Sequence, residues 1–531
     1  MELANNLNSF SRRKTNIRKT TLGLVLSVAL SAITGYAAPA ASSSYLIKYK
    51  DISAVNKMAA MQTEAFGLQM KDLHRPGRLV TVSIAKKNAA RTIAALYADK
   101  NVEYVVPNFK IYAYSAPVSA EALKEQYALA KVNAEAAWAK AGNKGSKNVL
   151  LAVIDTGVDY RHKNLAPNMV AGYDFNANDS DPMDETSSAN PGHGTHCAGI
   201  IGATGVIDGG TSGISPEVSI MPLRFLGSDG SGDLNNAIKA IDYAIEHKVQ
   251  VISASWGASV PLSTAQPLVE ALQRADQAGV IFVTAAANDG KNNDTTDVYP
   301  ANAGTPNMIT VAASNSSDVK PSWSNYGKAK VSLASPGDAI MSTLPGDKYG
   351  NLSGTSMATP LVAGMVAFLK AQDASLTGAE VRSLLQTTGA KVNIETACNC
   401  RVDALAAVTT LMDKKPWMVP AAATIAEKGT VQLAMKNATG AVHFESSNPA
   451  VATVNEQGLV TAVAKGTVTV KATDSTGASA QSLDINVGAV ASNPGTPDDP
   501  GTPGTPGSCP IGDQATCDAI CGIFPSAPWC K

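Results

Sequence analysis

The stretch VLLAVIDTGVD, Val149–Asp159, reads as an apolar β-strand ending on a carboxylate, Asp155, with Gly157 permitting a sharp exit. Outward from it, β-rich runs at Val149–Ile154, Val249–Ser253, Val280–Thr284 and Met308–Ala312 alternate with helical ones at Asn235–His247, Pro267–Ala278 and Met357–Gln372. Apolar strands alternating with helices over about 260 residues imply an α/β fold, a parallel sheet covered on both faces by helices. Open sheets of this kind place their sites beyond the carboxyl ends of the strands, which is where Asp155 falls.

Two more stretches carry chemistry at comparable places. NPGHGTHCAGIIGA sets His193 between glycines just before a helix of small residues. NLSGTSMATPLVAGMVAFL sets Ser356 after a glycine turn at the start of a long apolar helix, with Pro360 expected in the first turn, where a missing N–H costs little. A serine hydroxyl is a poor nucleophile near neutral pH; it needs a base, and the base needs an orienting carboxylate. Asp155, His193 and Ser356 supply one of each. The backbone N–H of Ser356, at a helix N-terminus, suits a developing oxyanion, and Asn288, ending the apolar run VIFVTAAANDG, offers a side-chain amide as second donor. Taken singly, Asp155 reads as a turn former, Asn288 as a loop amide and Ser356 as a helix N-cap. A lipase-type G-x-S-x-G elbow is excluded because Ala358 stands where its last glycine belongs.

DTGVD, HGTHCAG, AAAND and GTSMATP resemble, in that order, the four signatures of the subtilase (subtilisin-like) serine proteases. The resemblance covers about residues 120–412. It implies a subtilisin-like parallel sheet sandwiched by helices, with Ser356 as nucleophile, His193 as general acid/base, Asp155 as its orienter and Asn288 as oxyanion donor. His196 is the competing histidine, and the family motif selects His193. Cys197 resembles the cysteine of one branch of the family, a free thiol beneath the catalytic histidine, which implies inhibition by mercurials. In the family the substrate lies as a strand between two enzyme segments. Here SASWGAS resembles one edge and wall, with Ser253, Ser255, Trp256 and Gly257, while Ala285 and Ala287 form the other side and Val298 the pocket floor. A branched floor implies a shallow pocket taking small to medium apolar residues, within a broad specificity. DFNANDSDPMD, Asp174–Asp184, resembles a calcium loop with Asp174 and Asp179 as ligands and Asp181 contributing, a solvated acidic loop being the alternative. Asn164 stands where relatives carry an aspartate at another site, and the Gly202–Gly210 loop offers a further cation position.

The flanks differ in character. Residues 45–114 read as a small α+β unit, with strands at Tyr45–Lys50, Leu79–Ile84 and Val102–Val106 and a helix at Asn88–Ala98. VEYVVPNFKIYAYS, Val102–Ser115, resembles the end of the family's propeptide, implying a folding assistant and inhibitor released by self-cleavage within Ile111–Ser119. Its charge agrees: residues 42–115 carry a net +6 and residues 116–531 a net −11. Residues 421–487 become short Thr/Val-rich strands between Gly and Asn-Pro turns, a small β-sandwich that resembles the bacterial Ig-like group 2 domain. Ahead of all this, five basic residues precede the apolar run Leu22–Ala32 and small residues at 35–40, the pattern of a secretory signal; the run is short for a membrane anchor. Expected boundaries are therefore 1–40 signal peptide, 41–115 propeptide, 116–415 peptidase domain, 420–488 Ig-like domain, 489–508 Pro/Gly linker and 509–531 Cys-rich tail.

With 45% apolar and 16% charged residues and a net charge of −1, the chain is neither wholly disordered nor a nucleic-acid binder. Of seven cysteines, Cys509, Cys517, Cys521 and Cys530 crowd the tail, where two bridges or a zinc ion would staple it, and Cys398 and Cys400 would need a tight ring to bond each other. The expected protein is a secreted, monomeric serine endopeptidase made as a zymogen. Its substrates are proteins or peptides, its inhibitor its own propeptide, its one cofactor structural Ca²⁺ with no organic cofactor. The Ig-like domain serves cell-surface or polysaccharide contact, or spacing. The rival is a surface-binding protein whose protease unit no longer cuts.

Overall fold

Strand Leu150–Asp155 sits inside a nine-stranded sheet, flanked by Val251–Ala254 on one side and Ser219–Arg224 on the other. Beyond Val251–Ala254 come Ile281–Ala285, Met308–Ser314, Leu333–Pro336 and Cys400–Arg401; beyond Ser219–Arg224 comes Tyr173–Asp174. All of these pairs are parallel, and only the last strand, Ala390–Lys391, runs against its neighbour. The chain enters at Leu150 and builds the sheet first to one side and then to the other. The carboxyl end of this strand is therefore the switch point, where α/β sheets open a crevice. The computed structural model describes residues 44–51, 55, 68–85, 89–116, 126–205 and 210–488. The expected signal, the linker and the four-cysteine tail lie outside the described residues.

Helices His193–Gly202, Thr355–Gln372, Gly378–Thr388 and Ala404–Met412 pack on one core, with Val153, Val283 and Val311 of the sheet. Leu234–Glu246 and Leu262–Gln277 pack on the other, with Ile154, Ile252 and Phe282. Thr355–Gln372 is apolar on every side because it is buried on every side, from Thr355 to Lys370. Its Pro360 is not in the first turn, as the sequence suggested, but is the sixth helical residue. The missing N–H frees the carbonyl four residues back, that of Ser356, and Ser255 Oγ (3.0 Å) and Cys197 Sγ (3.4 Å) donate to it instead. Helix Leu262–Gln277 likewise begins a turn earlier than expected, with Pro267 inside it.

Ahead of the central unit, Gln69–His74, Leu79–Ser83, Ser44–Tyr49 and Val102–Pro107 form an antiparallel sheet in that spatial order, covered by helix Ala89–Tyr97. This front unit rests on helices Leu234–Glu246 and Leu262–Gln277 through Leu46, Val106 and Phe109. Polar contacts join them as well: Lys48 pairs with Glu270 (2.5 Å), Lys239 with Asp72 (3.1 Å), and His74 Nε2 hydrogen-bonds Asp242 (2.5 Å). After the central unit, short strands from Trp417–Val419 to Ile485–Val487 enclose a separate core of Met418, Val460, Val470 and Ile485. Among the described residues, no helix is long and apolar enough to cross a membrane. Cys398 and Cys400 are bonded, with Asn399 between them taking the left-handed conformation.

Candidate active site

Asp155 ends the central strand, and His193 opens a helix laid directly across the strand's exit. The approach is close: a Cβ on Gly194 would fall 2.1 Å from Gly157 O, so that position has no room for a side chain. Asp155 Oδ1 meets His193 Nδ1 at 2.7 Å, with both residues about 1% exposed. Thr156 N also donates to that oxygen (2.7 Å). Burial opposes protonation of the ring, but the Asp155 carboxylate outweighs it and holds the His193 pKa well above the ordinary 6.5. His196 has no such carboxylate: its Nε2 bonds Gly350 O at 3.0 Å, and burial lowers its pKa to about 3, leaving it neutral across the working range. The geometry thus separates the two histidines, which the sequence left to the motif. Cys197 is buried and free, its Sγ 4.0 Å from His193 Nδ1, and burial pushes its thiol up so that it stays neutral.

Ser356 is the second residue of its helix. Its Oγ donates to Ser255 O (3.0 Å), while His193 Nε2 is buried without a hydrogen-bond partner. The structure thus brings the three elements together, with the serine hydroxyl turned toward Ser255. Asn288 follows strand Ile281–Ala285, and its Oδ1 accepts from both the N–H and the hydroxyl of Thr355, each at 2.9 Å. That fixes the amide's orientation and leaves Nδ2 buried with no partner.

The chain's own segment runs through the cleft. Lys110–Ala113 pairs antiparallel with Trp256–Gly257 on one side and Ser231–Asp233 on the other. Tyr114 N donates to Ser255 O (3.1 Å), and Ala116 N to Ser353 O (2.9 Å). Tyr114 O, Asn288 Nδ2 and Ser356 N all lie within 3.4 Å of the point where a Gly354 side chain would begin. The Tyr114 ring packs on Ala287, Val298 and Ala301. A Cβ on Gly257 would come 2.3 Å from Tyr114 Oη.

The residues expected to line the pocket differ in what they offer. Val298 lies with Ala287 and Ala301 in the cluster against which Tyr114 packs. Trp256 offers its backbone; its indole lies in the core, bonded to Ile154 O (2.7 Å) and edge-on to Phe225. Ser253 is held in the strand between Val153 and Val283, two residues before Ser255, whose carbonyl accepts from Tyr114 N, and Ala285 closes its own strand. Ala287 is a non-glycine residue at φ 89, a strained backbone beside Asn288.

In the acidic loop Asp174 and Asp179 face each other across an isolated β-bridge. Asp174 turns one oxygen to Arg224 (3.1 Å) and the other to the N–H groups of Asn176 and Ala177. Asp179 caps Asp181 N (2.9 Å), and Asp181 accepts from Tyr160 Oη (2.9 Å). Asp174 Oδ2 is buried and, apart from its ion pair with Arg224, makes no hydrogen bond. The buried acid that the sequence reading passed over is Asp184, in the same loop, which hydrogen-bonds residues beside both Asp155 and His193. Thr156 and Thr195, each one or two residues from a motif's charged group, were the signal available for it.

Comparison with known proteins agrees with this arrangement. The model of the subtilase family matches residues 146–415, and that of the bacterial Ig-like domain (group 2) matches residues 418–485. Thermitase of Thermoactinomyces vulgaris is 39% identical over 268 residues, 50% of this chain and 89% of its own. The thermophilic serine proteinase of Bacillus sp. (strain AK1) is 37% identical over 306 residues, 58% of this chain and 72% of its own. Subtilisin E of Bacillus subtilis (strain 168) is 32% identical over 377 residues, 69% of this chain and 91% of its own. With the fold, the cleft and these matches in agreement, the chain belongs to the subtilase family of serine endopeptidases and carries a bacterial Ig-like domain behind its peptidase unit.

Proposed function

We propose that this endopeptidase is a self-processing secreted zymogen acting through Asp155, His193 and Ser356, and that its first substrate is its own Tyr114–Ser115 bond. The observation that carries the reading is the segment 110–116 lying between two enzyme strands, with Tyr114 N on Ser255 O and its ring in the pocket.

Ser356 Oγ turns from Ser255 O toward His193 Nε2, gives up its proton there and attacks the carbonyl carbon of Tyr114. The oxygen's negative charge falls to Asn288 Nδ2 and Ser356 N. Asp155 holds the imidazolium's Nδ1–H, and His193 returns the proton to the departing Ser115 nitrogen. Water then releases the acyl-enzyme by the same relay. Residues 41–114 remain as the inhibitor, seated by the ion pairs to Glu270 and Lys239, the hydrogen bond to Asp242 and the opposite net charges of the two parts. The signal and the linker direct and space an extracellular enzyme, and the Ig-like domain contacts a cell surface or polysaccharide.

N-terminal sequencing of the secreted protein is expected to read Ser115 first; a start elsewhere overturns the bond assignment. The raised His193 pKa also fixes a sign. The base must be neutral to accept a proton, so kcat/KM rises with pH through a limb lying above 6.5. A pH–rate profile that is flat from pH 5 to 8 contradicts the assignment of His193. The pocket gives a third test. Gly257→Ala sets a methyl against the tyrosine hydroxyl and lowers the ratio of kcat/KM for Tyr over Leu before the cleaved bond by about 10-fold. A peptide series read on both proteins measures it, and an unchanged ratio places the tyrosine elsewhere.

A further inference from the structure

Asp184 is 5% exposed and lies outside the group of residues that the reaction uses. Its Oδ1 accepts from Thr156 Oγ1 and Asn190 Nδ2, both at 2.9 Å. Its Oδ2 accepts from Thr195 N (2.9 Å) and Thr195 Oγ1 (2.7 Å). Each partner is committed in turn. Thr156 Oγ1 accepts from Gly194 N (2.9 Å), and Thr195 Oγ1 from Asp159 N (2.9 Å). Asn190 Oδ1 accepts from Gly192 N (3.0 Å) and from His193 N itself (2.8 Å). One carboxylate thus ties the strand end that carries Asp155 to the helix start that carries His193.

We propose that Asp184, as a carboxylate, is a positioning residue for peptide hydrolysis: it sets the separation and tilt of Asp155 and His193 and adds a second negative charge beside Asp155. This rests on the reading of His193 and Ser356 as the hydrolytic pair. All four groups facing Asp184 are donors, filling the four acceptor sites of an ionised carboxyl. A protonated acid or an amide would set a hydrogen against one of them. Burial raises the Asp184 pKa, and the hydrogen bonds from Thr195 and Asn190 work to lower it. The charged and titratable groups facing His193 are Asp155 on the strand, and neutral Cys197 and His196 on its own helix. Farther out, Arg224 is taken up by Asp174 and Glu185.

The test separates charge from tether. Asp184→Asn keeps the volume and removes the charge. It is expected to lower kcat about 10- to 100-fold with KM within about twofold. The acid limb of kcat/KM should move down by about half a pH unit, because a negative charge that favoured the imidazolium is gone. Thr156→Val keeps the charge and cuts one tether: kcat falls about 10-fold, the limb stays, and Thr156→Ser restores the rate. A folded Asp184→Asn enzyme with an unmoved limb and unchanged kcat, altered only in melting temperature, overturns the proposal. If that variant does not fold, wild-type kcat in Thr156→Val overturns it equally. Ser356→Ala is run alongside: activity surviving there defeats the hydrolytic reading itself, a different failure from loss of the Asp184 effect.

Discussion

Ser356→Ala is expected to yield a folded, unprocessed chain whose peptidase activity is lower by about 10⁶-fold, the scale that loss of the nucleophile carries in a subtilisin-type triad. The structural cost is small. The hydroxyl makes one hydrogen bond, to Ser255 O, and removing a single buried bond of this kind costs about 1 kcal/mol. The helix keeps its other anchors: Thr355 still donates to Asn288, and the Ser356 carbonyl, freed by Pro360, still receives Ser255 Oγ and Cys197 Sγ. The chemical cost is the whole covalent route. Without an oxygen at this point, His193 has no proton to take and the Tyr114 carbonyl no attacking atom. The measurement is the mass of the secreted chain together with casein hydrolysis. Processing at the normal position by the alanine variant alone would mean that another nucleophile, or another protease, does the work.

The second large effect belongs to Asn288. Asn288→Ala should lower kcat by about 10²- to 10³-fold and leave KM nearly unchanged, because Nδ2 has no partner until charge develops on the substrate oxygen. Preorganisation is the reason the effect is large. Thr355 holds the other end of the amide through two hydrogen bonds, so the donor waits in a buried site and pays nothing to reorient. Loss of those two bonds will also lower the melting temperature. The split between kcat and KM, read on one peptide, is therefore the informative number, and a rise in KM at constant kcat would show Asn288 to be a substrate-binding group instead.

Much of this was legible along the chain because it is local. Asp155, His193, Asn288 and Ser356 each sit where an apolar run meets a glycine or small-residue turn, and such junctions mark strand ends and helix starts. What could not be read depends on contacts across the chain. The strand Ser219–Arg224 carries Pro222, a residue that argues against a central strand, yet it pairs with Leu150–Asp155 along its whole length. The indole of Trp256 turns inward on a two-residue strand, too short for alternation to show which face is buried. Asp174, Asp179 and Asp181 resemble a calcium loop in sequence; their partners in the structure, Arg224 and its own turn for Asp174, its own turn for Asp179 and Tyr160 for Asp181, follow only from the folded chain. Tyr114 in the pocket follows only from docking of the front unit on the two helices behind the cleft. Asp184 was hidden among other acids, and only burial and four donors distinguish it.

The most direct test labels the purified mature protein with a fluorophosphonate and locates the adduct by peptide mass spectrometry. The account predicts one stoichiometric adduct, on Ser356, formed in step with loss of activity and absent from His193→Ala. Full activity with Ser356 unlabelled, or an inactivating adduct on any other residue, would contradict it.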